Sequence, residues 1–149
     1  MSDYNCFENI DEYAPYDDIS FSTLQKLESA LGDGSNELKA YAANVLIGNI
    51  PAKKVNEYVG DSFMLCGFHI KKVKFKDSGR EGMFTVMFGK DRSGGNCCAY
   101  CSASDKIYES VMKILYIYGD VSNWKSSGIA VRIRMNEIDG GKAYCLEIL

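Results

Sequence analysis

The chain has 149 residues, 46% of them hydrophobic, and a formal net charge of -3 at pH 7. This length and apolar content predict one folded unit with a substantial core. No stretch approaches the roughly 18 consecutive apolar residues of a membrane span, and the N-terminus is acidic where a targeting sequence would be basic, so we expect a cytoplasmic protein with no membrane partner.

The negative charge is concentrated at the start of the chain. Residues 1 to 20 carry six acidic side chains and no lysine or arginine, which leaves 17 basic against 14 acidic residues in the remainder. Because local potential governs the attraction of a polyanion, the composition is compatible with a nucleic-acid partner. Residues 1 to 18 also hold four aromatic residues without periodicity. We predict a flexible acidic-aromatic arm there.

Residues 19 to 60 carry the patterns of two or three short helices. Leucines repeat on one helical face from Ser22 to Leu31, and a second amphipathic stretch runs from Ser35 to Ile47. A third helix is predicted to begin at Pro51, because proline is favoured in a first turn, and to run towards Tyr58. Short amphipathic helices cannot bury a core alone, so this element is expected to pack on the domain that follows.

Residues 61 to 149 contain five predicted strands, interrupted once by a helix between the third and the fourth. The strand segments alternate in polarity, whereas the helix has apolar residues at core-facing spacing. In the first strand the apolar positions change parity near Lys71 and Lys72, which predicts a β-bulge there. The predicted bounds are Phe63–Lys76, Gly82–Gly89, Asn96–Ser102, Asp105–Tyr118, Gly128–Ile138 and Lys142–Leu149.

The element order β-β-β-α-β-β predicts an α+β fold that is mainly β. It is the order of a five-stranded oligonucleotide-binding (OB) barrel, here preceded by the two or three short helices. In the third strand we expect the small residues to face the core and Tyr100 to lie outside. In the fourth strand Arg132 and Arg134 alternate with apolar residues and are expected to face outward.

The six cysteines do not form the pattern of a metal site. Cys98 and Cys101 point to opposite faces of one predicted strand and cannot share a metal ion. The sequence holds one histidine, His69, and no second close pair of ligands. We therefore interpret the cysteines as small buried hydrophobes in a reducing compartment and expect no metal and no cofactor.

Short segments spread over about residues 45 to 149 carry a resemblance to a known family. They are Val45 to Gly48 (VLIG), Ala52 to Gly60 ending in Tyr-Val-Gly, Gly67 to Ile70, Met87 to Asp91, Ser102 to Ser104, and Gly141 to Tyr144 before a terminal Leu-Glu-Ile-Leu. In these segments the chain resembles the single-stranded DNA-binding proteins of small tailed bacteriophages and prophages of Gram-positive bacteria.

The resemblance implies an OB fold, single-stranded DNA as the ligand and a place in phage-type DNA replication, in the cytoplasm of the host. Such proteins coat exposed strands during replication. The chain departs from the family in its cysteine-rich third strand and in its acidic N-terminal arm, since the acidic tails of such proteins lie at the C-terminus. Replication proteins are a further expected partner of the arm.

The residues themselves also predict a surface for nucleic acid. Cationic side chains contact phosphates while an aromatic ring accepts any base, which allows a single strand to bind with little sequence preference. The alternative is that the lysines protect an edge strand from aggregation. The predicted nucleic-acid-binding residues are Lys71, Lys72, Lys74, Lys76, Arg80, Lys90, Arg92, Tyr100, Arg132, Arg134 and His69.

Two other classes of function stay open. A small protein-interaction module with no nucleic-acid binding, such as a phage inhibitor of host defence or a replisome adaptor, would share the fold and would use the tyrosine-bearing arm for docking. An enzyme is the less favoured class, because the sequence carries no phosphate loop, Ser/His/Asp set or paired metal-binding carboxylates. We therefore predict no catalytic residues. The arm is also expected to compete with DNA, because its carboxylates and rings imitate a single strand.

Overall fold

A computed structural model of the chain describes residues 10–13, 36–75, 79, 81–93, 95–119 and 128–149. In these residues seven strands form one strongly curled sheet, a half-barrel, with two helices packed on it. The fold is therefore mixed α+β and mainly β. The elements are β1 (Ile10–Tyr13), α1 (Asn36–Ile47), β2 (Lys53–Lys54), β3 (Ser62–Phe75), β4 (Glu81–Asp91), β5 (Cys97–Ser102), α2 (Asp105–Tyr118), β6 (Ile129–Ile138) and β7 (Gly141–Ile148).

The five predicted strands and the helix between them are confirmed as β3, β4, β5, α2, β6 and β7. The helix predicted from Ser35 to Ile47 is confirmed as α1, while the one predicted from Ser22 to Leu31 lies outside the described residues. Neither of the two helices that the structure describes has the length and apolar content needed to cross a membrane.

The helix predicted from Pro51 is wrong apart from a single 3-10 turn at Val55–Glu57. Its first residues instead form β2, which pairs in parallel with β5. Beyond the 3-10 turn, the Gly60 N–H donates to the Ile133 carbonyl at 2.9 Å. The backbone groups of this segment are thus bonded to distant strands, and those long-range bonds outweigh the local preference for a helix.

Part of the predicted flexible arm is a strand. β1 pairs antiparallel with the end of β3, with Ile10 opposite Phe75 and Tyr13 opposite Val73. These four residues are thus paired to the sheet, while the rest of residues 1 to 18 lies outside the described residues, so the flexibility of the arm as a whole stays a prediction.

β3 is the long strand that pairs with three others, β1, β4 and β6. The hydrogen-bonded order is β2-β5-β4-β3-β6-β7, and β1 is paired to β3 off this path. β4 pairs along β3 from Phe63 to Lys74, whereas β6 pairs only with its start, Ser62 to Leu65. Within the described chain neither β5 nor the short β2 beside it is paired with β7, so the curled sheet has an open side between the β2–β5 edge and β7.

A different helix covers each face of β3, β4 and β5. The face under α2 is called the inner face, and the face under α1 the outer face. The inner core includes Phe63, Leu65, Phe68, Ile70, Met87, Tyr100, Ile107, Val111, Val131 and Ile133. The outer core includes Leu38, Ala42, Val45, Val73, Val86, Phe88, Ala99 and Cys101.

The bulge in β3 lies at Cys66, so its predicted position at Lys71–Lys72 is wrong. The register on β4 skips one residue between Leu65 and Gly67, while it is regular from Gly67 onward. The change of apolar parity near Lys71 has another cause. Val73 is buried in the outer core, whereas Phe68 and Ile70 are buried in the inner core, so the covered face changes along the strand without an extra residue.

α2 packs against β4 and β7 and thus spans the open side of the sheet. The Ser110 hydroxyl accepts the Leu146 N–H of β7 at 3.2 Å and donates to the Lys106 carbonyl within the helix at 2.9 Å. A helix side chain therefore satisfies an edge amide of β7 that another strand would satisfy in a closed barrel.

Candidate nucleic-acid interface

Tyr100 is part of the inner core, so its predicted position outside the sheet is wrong. Its side chain is 3% exposed, and its ring stacks on Phe63 with centroids 4.5 Å apart. The hydroxyl donates to Asp61 Oδ2 at 3.0 Å. Burial raises the pKa of the Tyr100 phenol, and the hydrogen bond to Asp61 raises it further. This ring has no free face for a nucleobase.

A lysine and a second tyrosine complete the surroundings of this ring. The Lys53 ammonium lies 5.2 Å from the ring centroid of Tyr58 and 5.6 Å from that of Tyr100. The Tyr58 ring meets Tyr100 edge-on at 6.3 Å. These contacts close the end of the inner core beneath β2, and they explain why Tyr100 packs there.

The predicted lysines of β3 lie far from the predicted arginines. About ten residues separate Ser62 from Lys72 along the strand, a path of roughly 33 Å. Lys72 Nζ pairs with Glu81 Oε2 at 3.4 Å. Lys74 lies between acidic residues in register, opposite Glu81 on β4 and Glu12 on β1. The Glu81 carboxylate therefore neutralises part of the lysine charge at this end of the sheet.

Three predicted cations share the outer face at the opposite end of β3. Arg132 of β6 lies opposite Ser62. Two residues further along β3, and therefore on the same face, Met64 lies opposite Lys90 of β4. Arg134 follows Arg132 on the same face because side chains alternate along a strand. This spacing puts the Cα atoms of Lys90 and Arg132 about 12 Å apart. We call Lys90, Arg132 and Arg134, with exposed Arg92 in the turn after β4, the cationic face.

One carboxylate pairs with both arginines of the cationic face. Nη1 of Arg132 and Nη1 of Arg134 each lie 3.6 Å from Oε1 of Glu147 on β7. The arginine side chains are 40% and 54% exposed, so solvent and solutes reach both guanidinium groups. Sequence analysis missed Glu147. The two-residue turn at Asp139–Gly140 could have predicted its position, because the length of this turn fixes the β6–β7 register and so places Glu147 opposite Arg132.

The other predicted site residues contribute less to this surface. His69 is half-buried and lies opposite Val86 on the outer face, which is the face opposite to that of Tyr100. The backbone of Lys71 lies opposite Phe84 in the middle of β3. Lys76 and Arg80 lie outside the described residues.

Of the five cysteines in the described residues, Cys66, Cys98 and Cys101 are buried, whereas Cys97 and Cys145 are half-buried. Cys98 belongs to the inner core and Cys101 to the outer core, which confirms that they point to opposite faces. Burial raises the pKa of the Cys66 thiol to about 11 and that of the Cys98 thiol to about 12. A thiol that stays protonated is a poor nucleophile and a poor metal ligand. Within the described residues, no group of three or more His, Cys, Asp or Glu side chains is arranged to hold a metal ion.

Comparison of the chain with protein-family models, with curated proteins and with solved structures found no match in any of the three. The function is therefore inferred from the geometry of the chain itself.

Proposed function

We propose that the protein binds single-stranded DNA with little sequence preference, through phosphate contacts on the cationic face, as expected for a protein of phage-type DNA replication. The observation that carries the proposal is the position of Lys90 on β4 and of Arg132 and Arg134 on β6, on one face of the sheet and on either side of β3. Cations with this arrangement neutralise successive phosphates without reading bases.

The sheet geometry supports the same proposal. The order β5-β4-β3-β6-β7 is the neighbour order of an OB barrel that is open between its third and fifth strands. We propose that this half-barrel is an OB fold in which α2 occupies the open side. A flexible single strand follows a curled surface, whereas a duplex is stiff over about 150 base pairs. The proposed binding mode therefore favours single strands over duplex.

The burial of Tyr100 changes the expected source of affinity. Base stacking adds roughly 1 to 3 kcal/mol per base where an aromatic platform is present. The cationic face has no exposed aromatic residue among the described residues. Binding on this face is consequently electrostatic, and it should weaken steeply as salt concentration rises.

A titration of labelled oligothymidylate and of a duplex of equal length tests the proposal. Fluorescence anisotropy at about 50 mM and about 200 mM salt gives both affinity and salt slope. The double variant Arg132→Gln/Arg134→Gln should bind the single strand more weakly, with a slope smaller by roughly 0.7 for each phosphate that is no longer neutralised. The control Lys106→Gln/Lys113→Gln removes two charges from α2 and should change neither quantity by as much. Equal decreases in both variants, or no binding of single strands by the unaltered protein, would refute the proposal.

A second candidate function is a protein-interaction module, and the last turn of α2 favours it. Tyr116 is 90% exposed and Ile117 is 71% exposed. Large apolar side chains grouped at a surface are typical of a contact with another protein. Retention on heparin or single-stranded DNA resin separates the candidates, because the acidic chain has no reason to be retained unless the cationic face binds phosphates.

A further inference from the structure

The Glu147 carboxylate lies between the guanidinium groups of Arg132 and Arg134 on the cationic face. It is directly opposite Arg132 in the β6–β7 ladder, and Arg134 is the next outer-face residue of β6. Two guanidinium groups thus share one carboxylate oxygen, at 3.6 Å from each. The trio carries a net charge of about +1, since arginine keeps its proton in proteins.

One oxygen of the Glu147 carboxylate, Oε1, is poorly satisfied in this position. A charge-assisted N–H···O hydrogen bond is about 2.7 to 2.9 Å long, so both contacts are ion pairs without a hydrogen bond. Glu147 Oε1 is shielded from solvent and accepts no hydrogen bond from any described residue. A shielded oxygen without a donor is costly, because it has given up its bonds to water. A better acceptor for the same two guanidinium groups would therefore be favoured.

We propose that Glu147 occupies the position of a phosphodiester group and leaves it when a single strand binds, so that the arginine pair is a phosphate subsite held closed by an internal competitor. The identity of the anion rests on the proposed function. A phosphodiester has the same single negative charge as the carboxylate, so the exchange conserves charge. It also presents two free oxygens, which accept paired hydrogen bonds from the planar donors of arginine.

The position of Glu147 permits this exchange. The side chain is 42% exposed and belongs to the penultimate residue of β7, so rotation of its torsions carries the carboxylate into water. The backbone of the hairpin need not move. Glu147 then lowers the affinity for DNA without contacting it. An anion occupies the subsite only if it binds the two arginines more favourably than the carboxylate does.

The test compares Glu147→Gln with Glu137→Gln. Both changes remove one negative charge, but Glu137 has the parity of the inner-face residues Val131 and Ile133, so it lies on the face opposite to that of the two arginines, and its backbone partner is Lys142. Glu147→Gln should bind oligothymidylate about three- to tenfold more tightly at 50 mM salt, the scale of one or two surface ion pairs. Glu137→Gln should show at most a small part of this gain.

Arginine side-chain NMR with inorganic phosphate separates failure of the inference from failure of the proposed function. Equal affinities of the two variants, with DNA bound by the unaltered protein, would overturn the subsite and leave the function standing. No DNA binding, but phosphate shifts of the Arg132 and Arg134 Nε–H signals that grow in Glu147→Gln, would support the subsite and overturn the function. The absence of both would overturn both. If Glu147→Gln failed to fold, Glu147→Asp would retract the carboxylate and should give a smaller gain.

Discussion

Replacing Tyr100 with phenylalanine tests the position of this residue by removing one oxygen atom. The ring and its stacking on Phe63 remain, while the 3.0 Å hydrogen bond to Asp61 is removed. A hydrogen bond to a charged group contributes roughly 1.5 to 3 kcal/mol. Asp61 is partly exposed, so water replaces the missing donor in part. We expect a decrease of about 1 to 1.5 kcal/mol in the free energy of unfolding.

Urea denaturation followed by far-ultraviolet circular dichroism measures this decrease, and a thermal melt should show a fall of about 2 to 6 °C. The control Tyr116→Phe alters a ring that is 90% exposed and should change stability by less than about 0.5 kcal/mol. Affinity for single-stranded DNA should be the same in both variants. Unchanged stability together with weaker DNA binding in Tyr100→Phe would refute the buried position.

The raised pKa of Tyr100 gives this prediction a pH dependence. Above about pH 10 the unfolded chain loses the phenol proton while the folded chain keeps it. Stability that depends on the protonated phenol is therefore complete below pH 10 and falls as pH rises, by up to about 1.4 kcal/mol per pH unit. Tyr100→Phe has no such proton, so the gap between the two proteins should be constant below pH 10 and should narrow above it. A gap that widened there would contradict the assigned donor.

Three further predictions concern the packing of the sheet. A Cβ at Gly89 would collide with the Met64 carbonyl oxygen, so Gly89→Ala should cost about 1 to 3 kcal/mol or more in urea unfolding, whereas Gly141→Ala, with open space around it, should cost less than about 0.5 kcal/mol. Ser110→Ala removes the acceptor of an edge amide of β7 and should lower the free energy of unfolding by about 1 kcal/mol, with faster hydrogen exchange confined to that region. Cys66 should resist a thiol reagent at pH 8 until the protein unfolds, and its contribution to stability should decline from about pH 9 to about pH 11, since its folded pKa of about 11 exceeds the unfolded value.

Local patterns predicted the elements that have one buried side. In β6, alternation alone places Ile133 inward and Arg134 outward, and the structure agrees. The apolar spacing of α2 likewise predicted its buried residues Ile107 and Val111. In these elements the apolar residues lie on the covered side and the polar residues on the exposed side, so the strand or helix periodicity is visible in the sequence.

Alternation failed where both faces of a strand are covered. β5 is buried by α2 on one side and by α1 on the other, so the small residues and Tyr100 are all inside. The polarity of a side chain in such a strand does not show which face of the sheet it is on, because both faces are buried. The parallel pairing of Lys53 with Tyr100 was likewise invisible, because it joins residues distant in the chain. The cationic face needed the register of three strands, which no single segment contains.

The way α2 spans the open side has a consequence for the interior width of the half-barrel. A ladder of hydrogen bonds between two strands would set their separation at about 4.8 Å. Packed helices can instead slide by small amounts as their side chains adjust. The aperture between β5 and β7 is therefore set by the sizes of the α2 residues that face inward, such as Ile107, Val111 and Ile114. A change of volume at these positions would widen or narrow the curl while leaving the register of every strand intact.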